Sequence, residues 1–163
     1  MSRRILVAAL GHAWLRDEAF GLKVVQALRE CRLPAAVELA DWSFGTITAF
    51  QKLLAGRYDV SVFVAAAARG RQAGVLHQHR ADDPLPPAPE IHARVCDCAM
   101  GLVSLDNLLI MGRFYDALPP QVLVLEAEPV DDTWGDDLSP TVAALVPVAV
   151  AQIRALVAET VLP

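Results

Sequence analysis

Arg4-Ile-Leu-Val-Ala-Ala-Leu10, running directly into Gly11-His-Ala-Trp-Leu-Arg-Asp-Glu-Ala-Phe-Gly21, decides the fold of this chain. Its apolar residues are continuous rather than alternating, which predicts a strand buried on both faces. Phe20, Val24, Ala27 and Leu28 then recur at helical spacing and predict a helix from about Asp17 to Arg32. A doubly buried strand that turns into a helix is the opening of an α/β domain. The turn between them has only Gly11 and Gly21, and its Asp17 and Glu18 would repel a phosphate, so it is no dinucleotide cradle. Two readings of the acidic pair stay open. They are helix-start acids facing the positive end of a helix dipole, worth ~0.3–1 kcal/mol each. Or they form a cation site at a strand's C-terminal end, where open α/β sheets bind ligands.

Working outward, Pro34 ends the first helix and Ala35–Asp41 reads as a second strand. A loop follows, with Ser43 or Thr46 as helix cap, and Ile47, Phe50, Leu53 and Leu54 mark a helix up to Gly56. Tyr58–Ala66 is a third apolar strand, and the β-α-β-α-β alternation implies right-handed crossovers in a mainly parallel sheet. Too few residues separate it from Val75–Arg80 for a crossover helix, so that fourth strand is expected antiparallel at an edge, with His77 and His79 on one side as solvated neighbours or, alternatively, a metal pair. Ala81–Glu90, rich in proline, is expected to lack regular structure. Leu102 to Met111 mark another helix, Pro120–Ala127 a fifth strand, and Ser139-Pro140 caps a terminal helix from Thr141 to about Thr160, kinked by Pro147. The expected architecture is a single domain over residues 1–163. It has three α/β/α layers around a twisted, mainly parallel five-stranded sheet, with the first strand near the centre, as in phosphorylase/hydrolase-like folds.

With 163 residues, 55% hydrophobic and 20% charged, the chain can bury a substantial core and is not disordered. Charge or proline interrupts its apolar runs short of the roughly 18–20 residues of a membrane span, so no membrane crossing is expected. A net charge of −5 without a basic stripe argues against nucleic acid and anionic membranes as partners. Met1-Ser-Arg-Arg4 before the apolar run imitates a signal peptide, but the run is short and leads into a patterned unit, so it is read as the first strand. Three cysteines, an odd number, suit reduced thiols and a cytoplasmic setting. His92, Cys96 and Cys98 are potential soft-metal ligands, although one Cys-x-Cys and one histidine fall short of zinc-site spacing.

The ordered set of motifs resembles the nickel-iron hydrogenase maturation endopeptidases over essentially the whole length. It consists of Arg4-Ile-Leu-Val7, then Gly11 through Leu-Arg-Asp-Glu-Ala-Phe-Gly21, Val37–Asp41, Met100-Gly-Leu102 placed in the penultimate helix, and Glu128-Pro129 followed by Trp134-Gly-x-x-Leu-Ser-Pro140. The resemblance implies an enzyme that trims the C-terminal region of a hydrogenase large-subunit precursor, recognising nickel carried by that substrate through three side chains. Glu18 occupies the first of these positions, Ala65 stands at the aspartate and Cys98 at the histidine, with His92 as a substitute, and His12 replaces the usual asparagine. The implied metal set is therefore Glu18, Cys98 and His92, with Asp17 and Asp41 as substrate-binding residues and no tightly bound cofactor. Alanine supplies no ligand, so a non-catalytic pseudo-peptidase that binds a metalloenzyme subunit is the alternative. Glu18, Asp41, Ala65 and the Cys96–Cys98 segment are expected to converge on one cleft, mostly apolar around Glu18.

Overall fold

The computed structural model describes residues 3–161; Met1, Ser2, Leu162 and Pro163 lie outside the described residues. Five strands form one sheet: β1 Ile5–Ala9, β2 Val37–Asp41, β3 Val60–Ala66, β4 Leu76–Arg80 and β5 Gln121–Ala127. Their order is β2-β1-β3-β5-β4, parallel except for β4, which lies antiparallel at the edge beside β5. The helices are α1 Phe20–Arg29, α2 Thr46–Gly56, α3 Ala88–Ala99, α4 Leu105–Phe114, α5 Pro140–Ala143 and α6 Leu145–Val161, with a 3-10 turn at Arg16–Ala19 before α1.

Period-two geometry sends alternate residues of the inner strands to opposite faces. Ile5, Val7, Ala9, Val60, Val62 and Val64 pack against Phe20, Val24 and Leu28 of α1 and Ala149, Ile153 and Val157 of α6. Leu6, Ala8, Leu10, Phe63 and Val124 pack against Ala49 and Leu53 of α2 and Leu108 of α4. Both faces are covered, which is why these strands read as continuous apolar runs.

Several expectations need correction. Regular structure starts inside the proline-rich stretch: Pro87 caps α3 and Pro89 sits in its first turn, where a missing N–H costs nothing. Met100-Gly-Leu102 is not helical but connects α3 to α4. The cap of α2 is Gly45 rather than Ser43 or Thr46; the Thr46 hydroxyl instead donates to Leu102 O at 2.8 Å. The terminal helix breaks at Ala144, ahead of Pro147, whose absent N–H leaves Ala143 O without its helical donor. Counted together, Pro140–Thr160 is 21 residues long and by length and composition apolar enough to cross a membrane, an 18-residue stretch of it having mean hydropathy 1.9 with 28% of that stretch buried, although Pro147, Arg154 and Glu159 interrupt it. Its stripe Val142, Leu145, Ala149, Ile153 and Val157 nevertheless lies in the core.

Gly21 is where α1 crosses the sheet most closely. A Cβ there would lie 2.1 Å from Val64 O and 3.1 Å from Leu10 O. Gly21→Ala should therefore force α1 away from β3 and cost about 1–3 kcal/mol, read as a lower midpoint in urea denaturation. A midpoint equal to that of the parent chain would contradict the close approach.

Candidate functional site

The C-terminal ends of β1 and β3 and the start of α4 enclose a cleft of about 180 Å³, lined by Leu10, Gly11, Glu18, the stretch Ala65–Ala68 that ends and follows β3, Arg69, Val103, Ser104, Leu105 and Asp106. Topology places it: carboxyl ends of parallel strands open onto a crevice between connections. Gly11, at φ +148°, brings its Cα against Glu18 O, where a Cβ would come within 2.0 Å. The turn therefore folds tightly enough to set Glu18 on the cleft wall.

Asp17 and Glu18, adjacent in sequence, have opposite fates. Asp17 is fully buried. Its Oδ2 accepts from Val130 N at 2.8 Å, Asp131 N at 2.9 Å and Ser139 Oγ at 2.8 Å, and its Oδ1 accepts from Ser139 N at 2.7 Å. It fastens the first turn to the 128–139 loop and has nothing left for substrate, which corrects its expected role. Glu18 is half-buried in the cleft. Burial pushes its carboxyl above the ordinary value, His12 opposes this, and Asp132 and Asp17 push it further up.

The opposite wall carries a charge network that motif reading missed. Glu126, fully buried on β5, accepts from Arg69 Nη2 at 2.7 Å and Arg71 Nη2 at 2.7 Å. Arg69 also forks onto Asp106, at 2.7 and 3.1 Å. Glu128 accepts from the backbone N–H groups of Arg69 at 2.9 Å and Gly70 at 2.8 Å. The Arg69 hydrogen bond is the main reason Asp106 is held below the carboxylate range. Burial alone would raise Glu126, but Arg69 and Arg71 outweigh it and lower it. The signal was present in the sequence: one carboxylate in the otherwise apolar strand Gln121-Val-Leu-Val-Leu-Glu-Ala127 has to find a partner.

The expected metal set does not assemble. Among the described residues no group of three or more His, Cys, Asp or Glu side chains could hold an ion. Cys98 is buried, with burial as the chief cause pushing its thiol up, the wrong direction for a thiolate ligand. His92 and Cys96 are exposed and sit 3.9 Å apart one turn along α3. Asp41 is exposed at the end of β2, its Oδ1 accepting from Ser43 N at 3.0 Å. Of the expected convergence, the cleft holds Glu18 and Ala65 but neither Asp41 nor the two cysteines, and Trp14 points outward, 62% exposed. His77 and His79 are half-buried rather than solvated, on the same side as Glu126 because cross-strand partners share a face.

A doubly wound domain with an acidic cleft at the carboxyl edge of its sheet defines a structural class, and known structures give that class a name. No protein-family model and no curated protein sequence matches the chain. Solved structures do. The hydrogenase maturating endopeptidase HybD from Escherichia coli superposes with a TM-score of 0.72 at 23% identity, covering 96% of this chain and 93% of that one. An Escherichia coli endopeptidase gives 0.70 at 28% identity, over 96% and 93%. The NiFe hydrogenase maturation protease HycI from Thermococcus kodakarensis gives 0.70 at 17%, over 96% and 94%. The chain has the fold of the hydrogenase maturation endopeptidases.

Two opposed pH dependences follow from the two walls. Glu18 is raised, so the unfolded chain ionises first as pH climbs through 4.5, and the folded state loses stability until Glu18 itself ionises. Glu18→Gln should therefore stabilise the protein at neutral pH, with the gain vanishing below pH 4.5. Glu126 is lowered, so its contribution is present above 4.5 and is lost as pH falls. Glu126→Gln should cost about 3 kcal/mol at neutral pH by leaving two guanidiniums short of a partner, and the cost should shrink in acid. Denaturation midpoints measured across pH 3–8 check both.

Proposed function

We propose that this protein belongs with the hydrogenase maturation endopeptidases in role as well as fold. It engages the C-terminal region of a hydrogenase large-subunit precursor in the Glu18 cleft, within a reducing cytoplasmic setting suited to its three free cysteines. Glu18 carries the reading. It is a carboxylate in the turn after β1, raised by burial and facing a crevice at the sheet's carboxyl edge, where the fold's relatives are named as acting on hydrogenases. Nickel would arrive as the substrate's cargo, and Glu18 would be its one ionisable contact from this wall.

One observation favours recognition without cutting. Ala65 and Ser104 line the cleft with Glu18, and neither brings a carboxylate or an imidazole. The cleft's other carboxylate, Asp106, is taken up by Arg69, and Glu18 alone would not hold a divalent ion firmly, because affinity depends on a completed ligand set. In this second reading the chain escorts or masks the precursor's C-terminal region.

Incubating a nickel-loaded large-subunit precursor with the protein separates the two. Loss of the C-terminal tail by mass spectrometry, abolished in Glu18→Gln, establishes cleavage. A stable complex with the tail intact establishes recognition alone, and neither complex nor cleavage refutes both. Ligands can also be supplied at positions that line the cleft. Ala65→Asp with Ser104→His should acquire nickel or zinc affinity by calorimetry, whereas Ala65→Asp with Cys98→His should not, since Cys98 lies outside the cleft.

A further inference from the structure

We infer that the rim beside the cleft is a docking surface for a basic, extended segment of a partner protein, with Trp14 and Trp134 offering aromatic faces to Lys or Arg side chains and Asp132, Asp136 and Asp137 supplying the complementary charge. The two indoles are 62% and 79% exposed. They are held out by backbone rather than by their own packing: Gly135 N donates to Trp14 O at 3.0 Å, Arg16 N donates to Gly135 O at 3.1 Å, and Leu15 pairs with Gly135 in a parallel bridge. Trp14 and Trp134 each precede a partner of that bridge, so the backbone brings their positions side by side. Asp17, buried beneath, locks this arrangement to the first turn.

Charge identifies the occupant. Residues 131–137 include four aspartates. Asp131 is used locally, by Arg16 at 3.4 Å and by Thr133. Asp132, Asp136 and Asp137 are exposed and, among the described residues, have no basic partner. Indole faces attract cations, and an unpaired acidic field beside them steers positive chains and repels negative ones. A second copy of this chain, at net charge −5, is the wrong sign, as are nucleic acid and anionic membranes. Glu18 N donates to Leu15 O at 2.8 Å, so the bridged turn that follows Trp14 adjoins the cleft wall and a segment bound along the rim leads into the cleft. The inference concerns what is held beside the cleft and is independent of whether anything is cut.

Panning a randomised decapeptide library against the intact chain tests it. Enriched peptides should carry Lys or Arg next to apolar residues, change the tryptophan fluorescence on binding, and weaken as salt is raised. Trp134→Ala, and separately Asp132→Asn with Asp136→Asn and Asp137→Asn, should reduce their affinity roughly tenfold while leaving the denaturation midpoint unchanged, since all four side chains are exposed. Enrichment of acidic or purely apolar peptides overturns the inference, as does no enrichment of basic residues. So would affinities unaffected by both variants, or self-association in sedimentation that Trp134→Ala disperses.

Discussion

A fully buried carboxylate, that of Asp17, is the constraint on which the functional end of the molecule depends. An ionised group taken out of water costs several kcal/mol unless its lone pairs are filled. Here the backbone N–H groups of Val130, Asp131 and Ser139 and the Ser139 hydroxyl fill them. None of these donors can leave without stranding a buried charge, so the 128–139 loop and the β1–α1 turn behave as one piece. Ser139 then does double duty: while its Oγ donates to Asp17, it also accepts from Val142 N and starts α5. The position of Glu18, the display of Trp14 and Trp134 and the entry of the last helix thus follow from one side chain.

A second network does for the other wall what Asp17 does for the first. Glu126 on β5, Arg69 after β3 and Asp106 on α4 join three elements by charge-assisted bonds, which are shorter and stronger than neutral ones. Every member finds an opposite charge. Glu18 does not: burial and two neighbouring aspartates disfavour its ionised form, and only His12 opposes them. The two walls of the cleft thus differ in kind: one carries carboxylates matched by guanidiniums, the other a carboxylate that burial disfavours.

Much of this was legible from the chain and some was not, for physical reasons. β1, β3 and β5 announced themselves because burial on both faces leaves no polar position. β4 was readable as antiparallel because the chain after β3 is too short for a crossover. Asp17 and Glu18 were indistinguishable by periodicity, since what separates them is a set of donors more than a hundred residues away in sequence. Cys98 and His92 misled because a resemblance matches positions along the chain, while helix α3 turns one side chain into the core and the other into solvent. The start of α3 was hidden by prolines that the first turn of a helix tolerates.

The charge balance around the cleft bears on what it can accept. Two guanidiniums, Arg69 and Arg71, face three carboxylates, Asp106, Glu126 and Glu128, so that wall stays net negative although Arg69 itself lines the crevice. Arg69 spends its side-chain donors on Asp106 and Glu126, which leaves little for an incoming anion. Across the cleft Glu18 adds further negative character whenever it ionises, and Asp132 continues the same sign outward to Asp136 and Asp137. Among the described residues no group of three or more potential ligands gathers at the cleft, and its two carboxylates, Glu18 and Asp106, outnumber its one guanidinium, Arg69. A field without a completed coordination shell attracts and orients a cationic group but does not chelate it. That is the electrostatic character expected of a surface that reads a basic protein segment.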